Sequence, residues 1–180
     1  MYKILIADDE ALMRKGLCTL IDWAKLGCQI VGTAENGLQA KQAVLDYQPD
    51  IIIADIKMPV MDGLELARWV CGAQRQIQII LLTAFADFSY AQQAIQYGVS
   101  EYLLKPVTAM ELTGVIQKMK EKVDQIRKEK RKMESLTRTS ENYRANAQII
   151  RSKTLEALVN CTVDIQKSLA KLEEMGITLS

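Results

Sequence analysis

Five short runs of aliphatic and β-branched residues, separated by stretches with a helical apolar period, constrain this chain more than any other feature. The runs are 3–7 (KILIA), 29–33 (QIVGT), 51–54 (IIIA), 78–83 (QIILLT) and 101–104 (EYLL). Apolar residues recur at helical spacing over 11–22, 37–47, 63–71 and 87–97, and again from 108 onward. Several of the runs are almost wholly apolar, as strands are when both faces of a parallel sheet are covered. Five βα units in regular alternation predict an α/β domain, a doubly wound five-stranded parallel sheet, followed by a helical extension. The 180 residues, 49% hydrophobic and 25% charged, suffice for one such domain and an appendage.

A doubly wound sheet binds ligands beyond the carboxyl ends of its strands, so the residues just past each run carry the chemistry. The first run ends on Asp8, Asp9 and Glu10, the third on Asp55, the fourth on Thr83, and the fifth on Lys105 and Pro106. Three aspartates, a hydroxyl and a lysine are thus predicted at one edge. Each has a plainer reading. Acidic triplets favour the first turn of a helix, Asp55 could be an N-cap, Thr83 a strand end and Lys105 a solvated lysine at a helix start. Together they suit a hard cation: carboxylates alone, with water or phosphate oxygens, are the donors Mg²⁺ takes.

Absences narrow the chemistry further. The chain has no histidine, which removes Ser-His-Asp and Cys-His catalysis and most zinc sites. It has neither GxGxxG nor GxxxxGK[ST]. Cys18, Cys28, Cys71 and Cys161 show no CxxC spacing, which fits reduced thiols in a cytoplasmic protein. No apolar run is long enough to cross a bilayer, no signal peptide is evident, and the formal net charge of +1 singles out neither nucleic acid nor membrane as partner.

The combination "DDE" at 8–10, "DIKMPVMDG" at 55–63, "TA" at 83–84 and "KP" at 105–106 resembles the receiver domain of two-component response regulators over about residues 1–120. The resemblance implies a flavodoxin-like fold with Asp55 as phosphoacceptor. It implies Mg²⁺ held directly by Asp9, Asp55 and the backbone carbonyl of Lys57, with Asp8 acting through water. Thr83 and Lys105 would hold the phosphoryl oxygens, Pro106 would follow a cis peptide bond, and Tyr102 would be the aromatic switch. It implies no enzyme beyond self-phosphorylation from a phosphodonor and autodephosphorylation. Without a histidine of its own, the chain needs a phosphohistidine donor on another protein, a sensor histidine kinase.

The stretches "LIDWAKLGCQIVGTAENG" and "FADFSYAQQAIQYGVSEYLLKPV" resemble more narrowly the YesN-type regulators, whose output is usually an AraC-type DNA-binding module. Residues 141–180 are too short for that module, so DNA binding is expected only through an output domain absent from this chain. A stand-alone adaptor and a Mg²⁺-dependent aspartyl-phosphate phosphohydrolase are the competing classes. Against the hydrolase, a DxD nucleophile after the first strand is lacking.

Beyond the fifth run the charge changes sign. Residues 1–107 hold nine Lys and Arg against twelve Asp and Glu, and 108–140 hold nine against five. Leu112, Ile116, Met119, Val123, Ile126 and Met133 fall on alternating a and d positions, with Lys130 at an intervening a. Over 108–138 this suggests a coiled-coil linker helix that joins a homodimer. The other reading is a single amphipathic helix folded back on its own domain. The basic run 127–132 reads as a solvated face, and further helices are expected near 143–160 and 164–175.

Overall fold

The computed structural model describes residues 1–73, 76–84, 88–135, 165–167 and 170. It divides into two units, Met1–Lys128 and Glu129–Ser180. In the second, residues 129–135, 165–167 and 170 are helical. The remainder of the helices expected near 143–160 and 164–175, and residues 136–138 of the expected linker, lie outside the described residues.

The first unit alternates β1 (Tyr2–Ala7), α1 (Ala11–Leu20), β2 (Cys28–Ala34), α2 (Gly37–Tyr47), β3 (Ile51–Asp55), α3 (Gly63–Gly72), β4 (Gln78–Thr83), α4 (Phe88–Gln96) and β5 (Glu101–Leu104). A last helix, α5, runs over residues 109–128. The sheet is parallel throughout, in the order β2-β1-β3-β4-β5. This is the doubly wound, flavodoxin-like arrangement, with both faces covered.

Strand residues alternate between the two faces, which explains why the strands read as unbroken apolar runs. Leu5, Ala7, Ile52, Ala54, Ile79 and Leu81 pack with Ala40 and Val44 of α2, Leu66, Ala67 and Val70 of α3, and Ala94 of α4. Ile4, Ile6, Ile51, Ile53, Ile80 and Leu82 pack on the other face with Leu17 of α1 and with Leu112, Ile116, Met119 and Val123 of α5.

That second layer corrects the coiled-coil reading. Leu112, Ile116 and Met119 are fully buried and Val123 nearly so, all against this domain's own sheet. Side chains committed to the core are unavailable to a partner helix, so the first four members of the expected seam are core residues. Of the others, Ile126 is half-buried, and Lys130 and Met133 are exposed. Polar ties extend the docking past residue 120. The Tyr2 hydroxyl donates to Asp124 (2.7 Å), Lys120 donates to the Leu26 carbonyl (2.6 Å), and Arg127 pairs with Asp50 (2.7 Å).

Candidate functional site

Register brings the strand ends together. Ala7 of β1 lies opposite Ala54 of β3, so the next residues along, Asp8 and Asp55, are neighbours. Asp55 lies opposite Leu82, and Thr83 opposite Leu104, so Thr83 and Lys105 close the same edge. The Lys105 amide donates to the Thr83 carbonyl (2.7 Å), and the Lys105–Pro106 peptide is cis, as the resemblance implied.

Asp8, Asp55 and Thr83 are buried, and only 11% of the Lys105 side chain is exposed. Such burial needs compensation within the protein. Lys105 Nζ provides it, lying 2.7 Å from Asp8 Oδ2 and 2.9 Å from Asp55 Oδ2. The other Asp8 oxygen accepts from the Glu10 amide at 2.9 Å. Burial pushes the Asp55 carboxyl above the ordinary aspartate range, and Lys105 only partly counters this. Burial works to lower Lys105, but its hydrogen bonds to Asp8 and Asp55 outweigh that effect, and its ammonium is held above the usual lysine value.

Asp9, by contrast, is exposed. It lines a cavity of about 450 Å³ with Ile56, Lys57, Met58, Pro59, Asp62 and Tyr90. One oxygen from each of Asp8, Asp9 and Asp55 falls within 4.8 Å of the others. Three hard oxygen donors, one of them open to solvent, fit Mg²⁺ and offer nothing to a soft metal. Tyr102 lies opposite Leu81 and is half-buried, packed against the cluster under α2, α3 and α4.

The loop after Asp55 is fixed by its own backbone. The Ile56 amide donates to the Leu82 carbonyl, the Gly63 amide to the Ile56 carbonyl, and the Gly37 amide to the Met61 carbonyl, each at 2.9 Å. Asp55 is no N-cap. That role falls to Asp62, whose side chain accepts from the Glu65 amide while Glu65 accepts from the Asp62 amide, a capping box. Gly63 is required by contact: a Cβ there would sit 2.3 Å from the Asp55 carbonyl oxygen and 3.1 Å from Ile56 Cα. Gly63→Ala is therefore expected to lose about 1–3 kcal/mol, as overpacking against rigid neighbours does. Urea unfolding of the two chains measures it, and an unchanged midpoint would contradict the close approach.

Two contributors escaped the sequence reading. The Asp62–Glu65 box was legible from the D-x-x-E spacing ahead of an apolar run. Arg14 was not. Its guanidinium donates to the backbone carbonyls of Asp8 (2.7 Å) and Asp9 (3.0 Å) and pairs with Glu35 (2.8 Å). On an amphipathic helix it looks like one more solvated charge.

Residues 4–117 match the family model for the response regulator receiver domain, and the chain belongs to that family. The curated relatives it matches carry the names of transcriptional regulatory proteins. It is 42% identical over 119 residues to the uncharacterized transcriptional regulatory protein YesN of Bacillus subtilis (strain 168), covering 66% of this chain and 32% of that protein. Over 116 residues it is 34% identical to HptR, a transcriptional regulatory protein of Staphylococcus aureus, covering 64% of this chain and 45% of the other. The match thus spans less than half of either relative. Among solved structures, the REC domain of AraT, a response regulator from Geobacillus stearothermophilus, superposes with a TM-score of 0.66 at 40% identity, covering 70% of this chain and 98% of that one. A two-component transcriptional regulator AraC from Clostridium phytofermentans ISDg gives 0.64 at 30% identity, covering 69% and 97%.

Proposed function

We propose that Asp55 accepts a phosphoryl group from a phosphohistidine on a sensor kinase, and that the modified receiver controls a transcription-regulatory output. The observation that carries this reading is the Lys105 ammonium held against two buried carboxylates beside the exposed Asp9. These 180 residues hold no histidine, so the donor imidazole lies outside them.

In the transfer, an Asp55 carboxylate oxygen attacks phosphorus in line and the phosphorus–nitrogen bond breaks. The imidazole leaves with that electron pair and takes up a proton. An anion approaching an anion needs positive charge at the reacting centre more than anything else. Lys105, held charged by its two carboxylates, supplies one unit and turns toward the incoming oxygens. When bound, Mg²⁺ would supply the remaining charge compensation. Asp9, Asp55 and the Lys57 carbonyl would hold it directly. Asp8 would act through water, in keeping with both of its oxygens already being engaged.

The Thr83 hydroxyl then donates to a phosphoryl oxygen, a charge-assisted bond that can bias a two-state element, and Tyr102 turns inward behind it. DNA contact, in this reading, belongs to a C-terminal output domain of the longer regulator. Self-association is assigned to helix residues from Ile126 onward. The compartment this chemistry requires is the cytoplasm. Among the described residues no helix is long and apolar enough to cross a membrane.

Intact-mass measurement after incubation with acetyl phosphate tests the reading. One phosphoryl group per chain is expected with Mg²⁺ and none in excess chelator. Equal uptake in both would remove the metal from the scheme, and multiple turnover of an unrelated phosphate ester would replace the receiver with a hydrolase.

A further inference from the structure

We infer that Arg14 is the positioning residue for the cation site: it clamps the Asp8 and Asp9 backbone so that both carboxylates face the strand edge. The inference rests on the metal-binding reading above and goes beyond it, because Arg14 is neither a metal ligand nor a phosphoryl contact.

Lys105 holds the Asp8 side chain, but among the described residues the backbone of the segment between β1 and α1 has few other ties. α1 starts without a side-chain cap at Glu10. The Asp8 amide is tied to Ala34 at 3.1 Å and the Glu10 amide to Asp8 Oδ1. The carbonyls of Asp8 and Asp9 are taken up by a single nitrogen, Nη1 of Arg14, at 2.7 and 3.0 Å. Fixing consecutive carbonyls fixes their peptide planes, and with them the directions of the Cα–Cβ bonds that carry the two carboxylates. The side chain doing this is only 12% exposed, and its second nitrogen is oriented by Glu35, which is itself 62% exposed.

The choice of acceptor matters for charge. Lys105 sits on the carboxylates themselves, so it screens the negative charge that attracts a cation. Arg14 sits on carbonyls and on Glu35, so it orders the site while leaving the Asp9 carboxylate free of its charge. Guanidinium geometry suits this work, since several donors lie fixed in one plane, whereas an ammonium is a point charge on a flexible stem. Residues that orient metal ligands from behind typically matter about 10–100-fold in metal affinity.

The experiment uses the full chain as wild type, Arg14→Met, Arg14→Lys and Glu35→Gln. Mn²⁺ binding is followed by the electron paramagnetic resonance of the free ion, and Mg²⁺ binding by calorimetry. Arg14→Met is expected to weaken both cations about tenfold or more, with Arg14→Lys failing to restore affinity and Glu35→Gln retaining most of it. At saturating Mg²⁺ the Arg14→Met chain reaches the wild-type yield of phosphorylated Asp55, so the defect lies in the half-saturating concentration alone. Wild-type affinity in Arg14→Met, with only a lowered unfolding midpoint, would reduce Arg14 to a structural residue. Full rescue by Arg14→Lys would show that charge, not the carbonyl clamp, is what counts. Should Arg14→Met fail to fold, the Arg14→Lys and Glu35→Gln affinities decide by the same criteria. A wild type that binds neither cation overturns the metal-binding reading itself, an outcome distinct from an Arg14 failure.

Discussion

Asp55→Asn is expected to take up no phosphoryl group from acetyl phosphate at any Mg²⁺ concentration, and yet to unfold no earlier than the wild type. The first half rests on chemistry, since an uncharged amide is no nucleophile toward phosphorus and a poor partner for a hard cation. The second half rests on burial. The Asp55 carboxyl is held above its ordinary value of 3.8, chiefly because the strand edge withholds water from its charge, and Lys105 only partly restores the balance. A carboxyl with a raised folded-state value binds its proton more tightly folded than unfolded. Wild-type stability is therefore lost as pH rises from 3.8 through the folded-state value, and the loss is complete above it. Asparagine carries no such term. In chelator, the stability difference between the two chains should widen in favour of Asp55→Asn over that window and stay level toward neutral pH. Equilibrium urea unfolding at several pH values measures it. A variant markedly less stable than wild type at neutral pH would mean that the Lys105–Asp55 pair outweighs the burial.

Ile116→Ala should lose about 2–5 kcal/mol, the usual cost of emptying a fully buried aliphatic site. Ile116 has no exposed surface and lies between α5 and the β1, β3 and β4 residues of one sheet face. The loss should be the same at any protein concentration, because the contacts removed lie within one chain. Met133→Ala, at a residue 67% exposed, should change stability by no more than about 0.5 kcal/mol. Denaturant midpoints of both variants at two widely separated concentrations separate the alternatives. A concentration-dependent midpoint for Ile116→Ala would return that residue to an intermolecular seam.

The sequence by itself determined the strands, the helices packed on them and four residues that share the strand edge. Apolar runs with period-two faces can be satisfied only where helices cover both sides. Once the strands are parallel, the residues after each run must share an edge, so Asp8, Asp55, Thr83 and Lys105 could be placed together before any distance was known. Tertiary structure decided what each of them faces. Asp8 and Asp9 are adjacent and chemically identical, yet one is buried under Lys105 and the other opens to a cavity. That difference comes from the β1–α1 turn. Arg14 was invisible for a related reason: its acceptors are backbone carbonyls, which carry no sequence signal.

The stripe from Leu112 to Val123 shows the limit most clearly. A heptad drifts only about 20° from an ordinary helix per repeat, so about three turns of apolar residues announce a buried face without naming what buries it. A second chain and the domain's own sheet make equal claims on such a stripe. The sheet prevails because Ile4, Ile6, Ile51, Ile53, Ile80 and Leu82 present an apolar face that α1 alone does not cover, and α5 is already tethered beside it.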